Sequence, residues 1–328
     1  MKVITAFIAL LLLAFPWACS KTYTLAPAST SGPTPTSTPS YICGTGTHPY
    51  ALQWGSAGTG NGQFTEPGGM TVGTNGNIYV ADFQNDRVEE FTTAGTYVTQ
   101  FGSYGTANGQ IYGATAVAVD GSGNIYVADY QNNRVDVFTS AGTFISDWGT
   151  AGTAAGQFNN PDGIATDSSG NVYVAQVSNN CVQKFTSSGS FILQMGTNGT
   201  GNGQLQQPSF ITVANGNVYV ADYNNNRVAV FSTAGTFVAN WGTNGTGTGQ
   251  FSLPGGVAAD GCGNIYVSDT GNTRIQEFTS SGAYLTEFGS IGPGNGTFQQ
   301  PGGICLDTGG NIYVSDLTND NVQKFSPN

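Results

Sequence analysis

Histidine is almost missing from this chain: one residue in 328, His48. Zinc and copper sites draw heavily on imidazole, and a Ser-His-Asp hydrolase depends on it. A histidine cluster is therefore excluded, and any triad would rest on a residue that precedes the first predicted strand. Basic residues are nearly as scarce, eight against nineteen acidic ones, for a formal net charge of −11. Nucleic-acid binding needs clustered cations to displace counterions from phosphates. The four arginines (Arg87, Arg134, Arg227, Arg274) fall at one position of a repeat, Lys184 and Lys324 at another, and Lys2 and Lys21 lie near the N-terminus. No basic face forms from them, so nucleic acid is not an expected partner. No apolar run is long enough to span a bilayer, and the five cysteines include no C-x-x-C spacing.

The longest apolar run, 3–14, follows Met1-Lys2 and reads as the core of a signal peptide over residues 1–18. Cys19 stands after a small residue, as in bacterial lipoprotein signals, and is the expected lipidation site. Pro16 departs from that pattern. Residues 19–49 are rich in Ser, Thr and Pro, a composition that cannot bury a core and reads as a linker or tether. The expected location is extracytoplasmic, either anchored to the cell envelope or secreted, with membrane contact only through the lipid.

What the chain has in abundance is repetition. The phrase N-(I/V)-Y-V-(A/S)-(D/Q) begins at Asn77, Asn124, Asn171, Asn217, Asn264 and Asn311, at intervals of 46 or 47 residues. A fixed period of this length marks an array of one supersecondary unit. Glycine, at 49 residues, is about twice its usual share, yet each repeat carries regularly spaced Ile, Val, Tyr and Phe. The glycines therefore belong to turns and do not replace a core. Within one unit, four β-branched and aromatic runs alternate with Gly/Asn/Ser turns, the pattern of a four-stranded antiparallel propeller blade. The last unit stops after three strands, and an orphan fourth strand, 50–55, precedes the first. The expected fold is an all-β, six-bladed β-propeller over residues 50–328, closed by strand 50–55 completing the last blade and leaving no free edge.

At P-x-G-(I/V)-A in the first strand, G-N-(I/V)-Y-V-A-D in the second and N-x-R-(I/V)-x-x-F in the third, the chain resembles the NHL-repeat family of six-bladed propellers. That family includes RNA-binding regulators, ligase-linked proteins, bacterial sensor domains and a copper/zinc-dependent lyase, so the resemblance implies a fold and leaves the chemistry open. Lactonases on related propellers hold a divalent metal with Glu, Asn and Asp. Glu66 and Asp162 could imitate such a set, although no spacing marks them out.

Three groups of residues are candidates for a role. Asp82, Asp129, Asp222, Asp269 and Asp316 close the second strands, and Arg87, Arg134, Arg227 and Arg274 open the third. Blade three lacks both, with Gln176 and Cys181 instead, and this joint absence predicts that Asp and Arg pair within a blade. On the face bearing the loops between second and third strands, Phe83, Tyr130 and Tyr223 stand among Asn and Gln. Either they contact a sugar or peptide, or they cap neighbouring blades. At the channel mouth, blades two to four carry Thr115, Asp162, Ser209 and Phe210 where the others carry paired glycines, with Gln176 in the same sector. A small pocket is expected there. Of the cysteines, Cys43 and Cys262 are expected on the same side of blade five and form the candidate disulfide, with Cys181 and Cys305 as buried thiols.

These observations lean away from catalysis. The expected protein is a monomeric, non-enzymatic binding scaffold for a protein, peptide or glycan, with no cofactor and no catalytic residues. The alternative is a metal-assisted lyase or lactonase with its site at the channel mouth.

Overall fold

A computed structural model describes residues 46–327. The expected signal segment 1–18, the lipidation site Cys19, most of the tether and Cys43 lie outside the described residues. The four-strand reading of each repeat holds throughout. After β1 (Tyr50–Trp54), the first blade is β2 (Pro67–Val72), β3 (Ile78–Asp82), β4 (Arg87–Phe91) and β5 (Tyr97–Phe101). Blades two to five repeat the order, their innermost strands being β6 (Ala114–Val119), β10 (Pro161–Thr166), β14 (Pro208–Ala214) and β18 (Pro254–Ala259). The last blade has β22 (Pro301–Leu306), β23 (Ile312–Asp316) and β24 (Asn321–Phe325). Its outermost place is taken by β1, which pairs antiparallel with β24 through Tyr50↔Phe325 and Trp54↔Val322. The innermost strands pack in sequence around a central channel, β22 returning against β2. An all-β, six-bladed propeller results.

The second and third strands of each blade are buried on both faces, because each blade is sandwiched between two others. Alternation along β7 (Ile125–Asp129) divides the side chains accordingly: Ile125 and Val127 join the core shared with blade one, Tyr126 and Ala128 that shared with blade three. Six such cores fill the gaps between neighbours. An aromatic residue ends the fourth strand of every blade but the third, which has Met195, and stacks into them, Trp148 on Phe185 at 4.5 Å and Trp241 on Phe278 at 4.6 Å. The glycine that follows is required: Gly149 has φ of 105°, and a Cβ there would lie 2.4 Å from the Phe158 ring.

A second device, not foreseen from sequence, ties blade to blade. The residue before the third strand adopts the left-handed conformation in every blade, and in five it is Asn or Asp: Asp86, Asn133, Asn180, Asn226 and Asp320. Each accepts a hydrogen bond from the backbone N–H of the next blade's entry loop, as Asn180 does from Gln207 at 2.9 Å. Asp320 accepts from Glu66 at 2.8 Å and so joins the last blade to the first.

Candidate functional site

The recurring Asp and Arg form a structural hub in four blades. Arg87 Nε donates to Asp82 at 2.8 Å, Arg134 to Asp129 at 3.1 Å, Arg227 to Asp222 at 2.7 Å and Arg274 to Asp269 at 2.9 Å. The carboxylates are completely buried. Their other oxygen accepts the backbone N–H of Thr65, Tyr112, Gln206 or Ser252 in the entry loop. The guanidinium then donates to loop carbonyls, Arg87 to those of Thr59, Gly60 and Gln63. All five donors of Arg87 and of Arg134, and four of those of Arg227 and of Arg274, are spent inside the protein, so this pair clamps the Gly-rich loop and does not form a catalytic ring.

In blade three, amides rebuild the hub. Gln176 Oε1 accepts from the Asn159 N–H at 3.2 Å and from Asn179 at 2.6 Å, and Gln183 Nε2 reaches the Gln157 carbonyl at 3.3 Å. Gln176 is therefore fully buried in the hub and does not line the mouth, where the sequence had suggested it. Blade six follows the same logic, Gln323 donating to the Thr297 carbonyl at 2.7 Å in place of an arginine.

The mouth itself is a cavity of about 250 Å³ bounded by Glu66, Phe83, Thr115, Tyr130, Asp162 and Phe210, with Gly68, Val177 and Leu317 completing the wall. Five residues chosen from sequence (Phe83, Thr115, Tyr130, Asp162, Phe210) thus meet in one place. Ser209 joins them by donating to Asp162 Oδ2 at 2.9 Å. Tyr223 lies close enough for the Asp162 charge to add to burial in raising its hydroxyl pKa, and the same two causes act on Tyr130. Val177 and Leu317 were missed, although a signal existed. They occupy the repeat position directly after the second strand, where Phe83, Tyr130 and Tyr223 stand in other blades.

Phe210 forms the floor. It projects from blade four across the channel towards blade one, on the opposite side of the ring. A Cβ on Gly69 would lie 3.3 Å from its ring, and Gly303 also borders the small void beneath it. The asymmetry between glycine-bearing and bulky blades is steric: small residues on one side leave room for one large ring from the other. Below Phe210 the channel is walled by Val, Ile, Ala and Thr of the innermost strands. Phe210 thus lies between the mouth and the apolar channel beneath it.

The electrostatics of the cup are one-sided. Burial pushes the Asp162 carboxyl up to about 6, against the opposing pull of the Ser209 hydroxyl. Among the described residues no cation pairs with Asp162. The arginines are committed to their hubs, Lys184 to Asp167 and the Thr233 carbonyl, and Lys324 to the Thr93 carbonyl. Phe83 and Tyr130 meet edge to face at 6.0 Å, and the Phe83 ring lies over Gly113 of blade two. Phe83 therefore caps a neighbouring blade, as expected of these rings, and Phe83 and Tyr130 also border the cup.

At the opposite end of blade five, His48 is buried and bonded to Glu277 at 2.8 Å, with Phe288 and Tyr266 rings beside it. The last tether residues thus dock onto the propeller. Cys262, in the nearby turn, is disulfide-bonded; Cys181 and Cys305 are free and buried. Cys43, the expected partner of Cys262, lies outside the described residues.

Five segments, 108–138, 158–185, 205–231, 251–278 and 298–325, match the NHL repeat family model. No curated relative matches the sequence. Among solved structures, a streptogramin B lyase aligns with a TM-score of 0.61 at 14% identity, covering 84% of this chain and 98% of that one. A protein of unknown function from Bacteroides thetaiotaomicron aligns at 0.66 and 18%, covering 84% and 76%. A gluconolactonase from Xanthomonas campestris aligns at 0.62 and 12%, covering 88% and 99%. At these identities the likeness is one of fold. The chain belongs to the NHL-repeat β-propeller family.

Proposed function

We propose that this NHL-repeat propeller is an extracytoplasmic, non-enzymatic binding scaffold, held at the cell envelope through Cys19 or secreted, whose mouth cup receives one side chain of a peptide or protein ligand. The observation that carries this reading is the meeting of Phe83, Tyr130, Asp162 and Phe210, from four different blades, around one cavity. Its volume, about 250 Å³, is below the several hundred Å³ common for drug-sized ligands. A single side chain fits that space better than a saccharide chain does. Rigid aromatic walls supply contact area with little ordering cost.

The test is a displayed random-peptide library panned on the mature protein, with a glycan array in parallel. Peptides that bind and lose at least tenfold in affinity on Tyr130→Ala and Phe210→Ala would support the reading. Ligands that bind those variants as well as the parent, or glycans alone, would overturn it.

The second reading is metal-assisted lyase or lactonase chemistry, suggested by the fold shared with a streptogramin B lyase and a gluconolactonase. The residues fit it poorly. The cup offers two carboxylates, Glu66 and Asp162, and no Asn or His. The Thr115 hydroxyl is engaged with the carbonyls of Ala128, Pro161 and Asp162, and no group of three metal-ligating side chains occurs among the described residues. Thermal shifts with Ca²⁺, Mg²⁺ and Zn²⁺ that vanish on Asp162→Asn would favour this reading over the first.

A further inference from the structure

We infer that the cup selects a cation: an alkylammonium or guanidinium group, as borne by a lysine or arginine side chain of the ligand. This rests on the mouth-binding reading and specifies its ligand. Asp162 sits beside Phe210 and the rings of blades two and four, carries one hydroxyl donor from Ser209, and has no basic partner among the described residues. Asp162 is partly buried at the wall of the cup, and a carboxylate beside aromatic rings, away from most of its water, gains from a cation seated against it. Structural need does not explain it, because the corresponding place in blades one, five and six is glycine: Gly68, Gly255 and Gly302. Nor is Asp162 part of the hub in its own blade, which Gln176 and Gln183 complete without it.

The surroundings suit a cation in three independent ways. Faces of Phe and Tyr rings carry the negative end of the ring quadrupole and attract ammonium and guanidinium groups, most strongly where water is excluded. Phe210 narrows the channel from below by reaching towards Gly69. Glu66 places a second carboxylate at the rim, held by Asp320 at its backbone N–H and bonded to Gln84 at its side chain. At longer range, the formal charge of −11 draws cations and repels anions on approach. An anionic ligand would meet two carboxylates and no positive group. A neutral one would cover Asp162 without pairing it.

The experiment is calorimetric titration of the mature protein with four probes: N-acetyl-lysine methylamide, its Nε-trimethyl form, N-acetyl-arginine methylamide and the neutral N-acetyl-norleucine methylamide. The expected result is binding of at least one cationic probe at least tenfold tighter than norleucine. Asp162→Asn should erase that preference, lowering cation affinity at least tenfold relative to norleucine affinity. Glu66→Gln, at the rim, should weaken the cations only a few-fold. Norleucine binding as tightly as lysine would overturn the inference and leave the mouth-binding reading standing. Cation binding that survives Asp162→Asn would also overturn it, by placing the cation elsewhere. Failure of all four probes would overturn it too; the mouth-binding reading would then be decided by the Tyr130→Ala and Phe210→Ala peptide comparison. A circular dichroism melt of each variant separates loss of the cup from loss of the fold.

Discussion

Replacing Glu89 with glutamine should stabilise the propeller, and more so as pH rises. Glu89 is completely buried in the hub of blade one, beside Asp82 and Arg87. One oxygen accepts the Gly62 N–H at 3.1 Å; the other has no partner. Burial above all, with the Asp82 charge adding to it, raises its pKa from 4.5 to about 7, against the pull of Gly62 and Arg87. A group raised in this way stabilises the fold fully below pH 4.5, where both states are protonated, relative to alkaline solution, and that stability is lost as pH rises through about 7. A shift of about 2.5 pH units at about 1.4 kcal/mol each corresponds to roughly 3 kcal/mol by pH 8.5. Blade five shows what the replacement would do. There Gln276 accepts from the Gly249 N–H at 2.9 Å and donates to Asp269 at 3.0 Å and the Gln250 carbonyl at 2.7 Å, beside an intact Arg274–Asp269 pair. Thermal melts of parent and Glu89→Gln between pH 4.5 and 9 should diverge with pH, reaching a difference of about 5–10 °C at the alkaline end. The other titrating groups are common to both proteins and cancel. A difference independent of pH, or a variant less stable than the parent at pH 9, would refute the reasoning.

Arg227→Met should lower stability by about 3–5 kcal/mol in urea titrations, because Asp222 would remain buried without its cation. A loss below about 1 kcal/mol would mean that Asn225 and the Gln206 N–H suffice. Gly256→Ala should cost about 1–3 kcal/mol by the same measurement, since the added Cβ would lie 2.1 Å from the Gly302 carbonyl of the next blade. Gly76→Ala is no steric match for it: nothing lies within 4 Å there, and its φ of 81° alone sets the penalty. Cation affinity of the cup should weaken as pH falls from 7.5 to 5, because Asp162 takes up its proton near 6. The titratable groups around it are Glu66, Tyr130 and Tyr223; the tyrosine hydroxyls are raised and stay neutral over this range. Affinity unchanged across that span would assign recognition to another group.

Much of this molecule was legible because its information is local and repeated. Alternating apolar residues between Gly and Asn turns specify strands and hairpins, and six copies of one phrase specify six blades. Comparing copies even revealed a contact: Asp and Arg vanish together from blade three, and they pair wherever both are present. What local pattern could not supply is how one blade faces another. The latch from Asn180 to Gln207, the inward turn of Gln176 into the hub and the reach of Phe210 towards Gly69 all depend on how the sheets are rotated about the channel axis. The sequence by itself determined the blade count, the strand order and the residues that differ between blades. The tertiary structure alone decided which of those differences meet: residues about 47 or more positions apart become neighbours only when the ring closes, and the cup exists only as their junction.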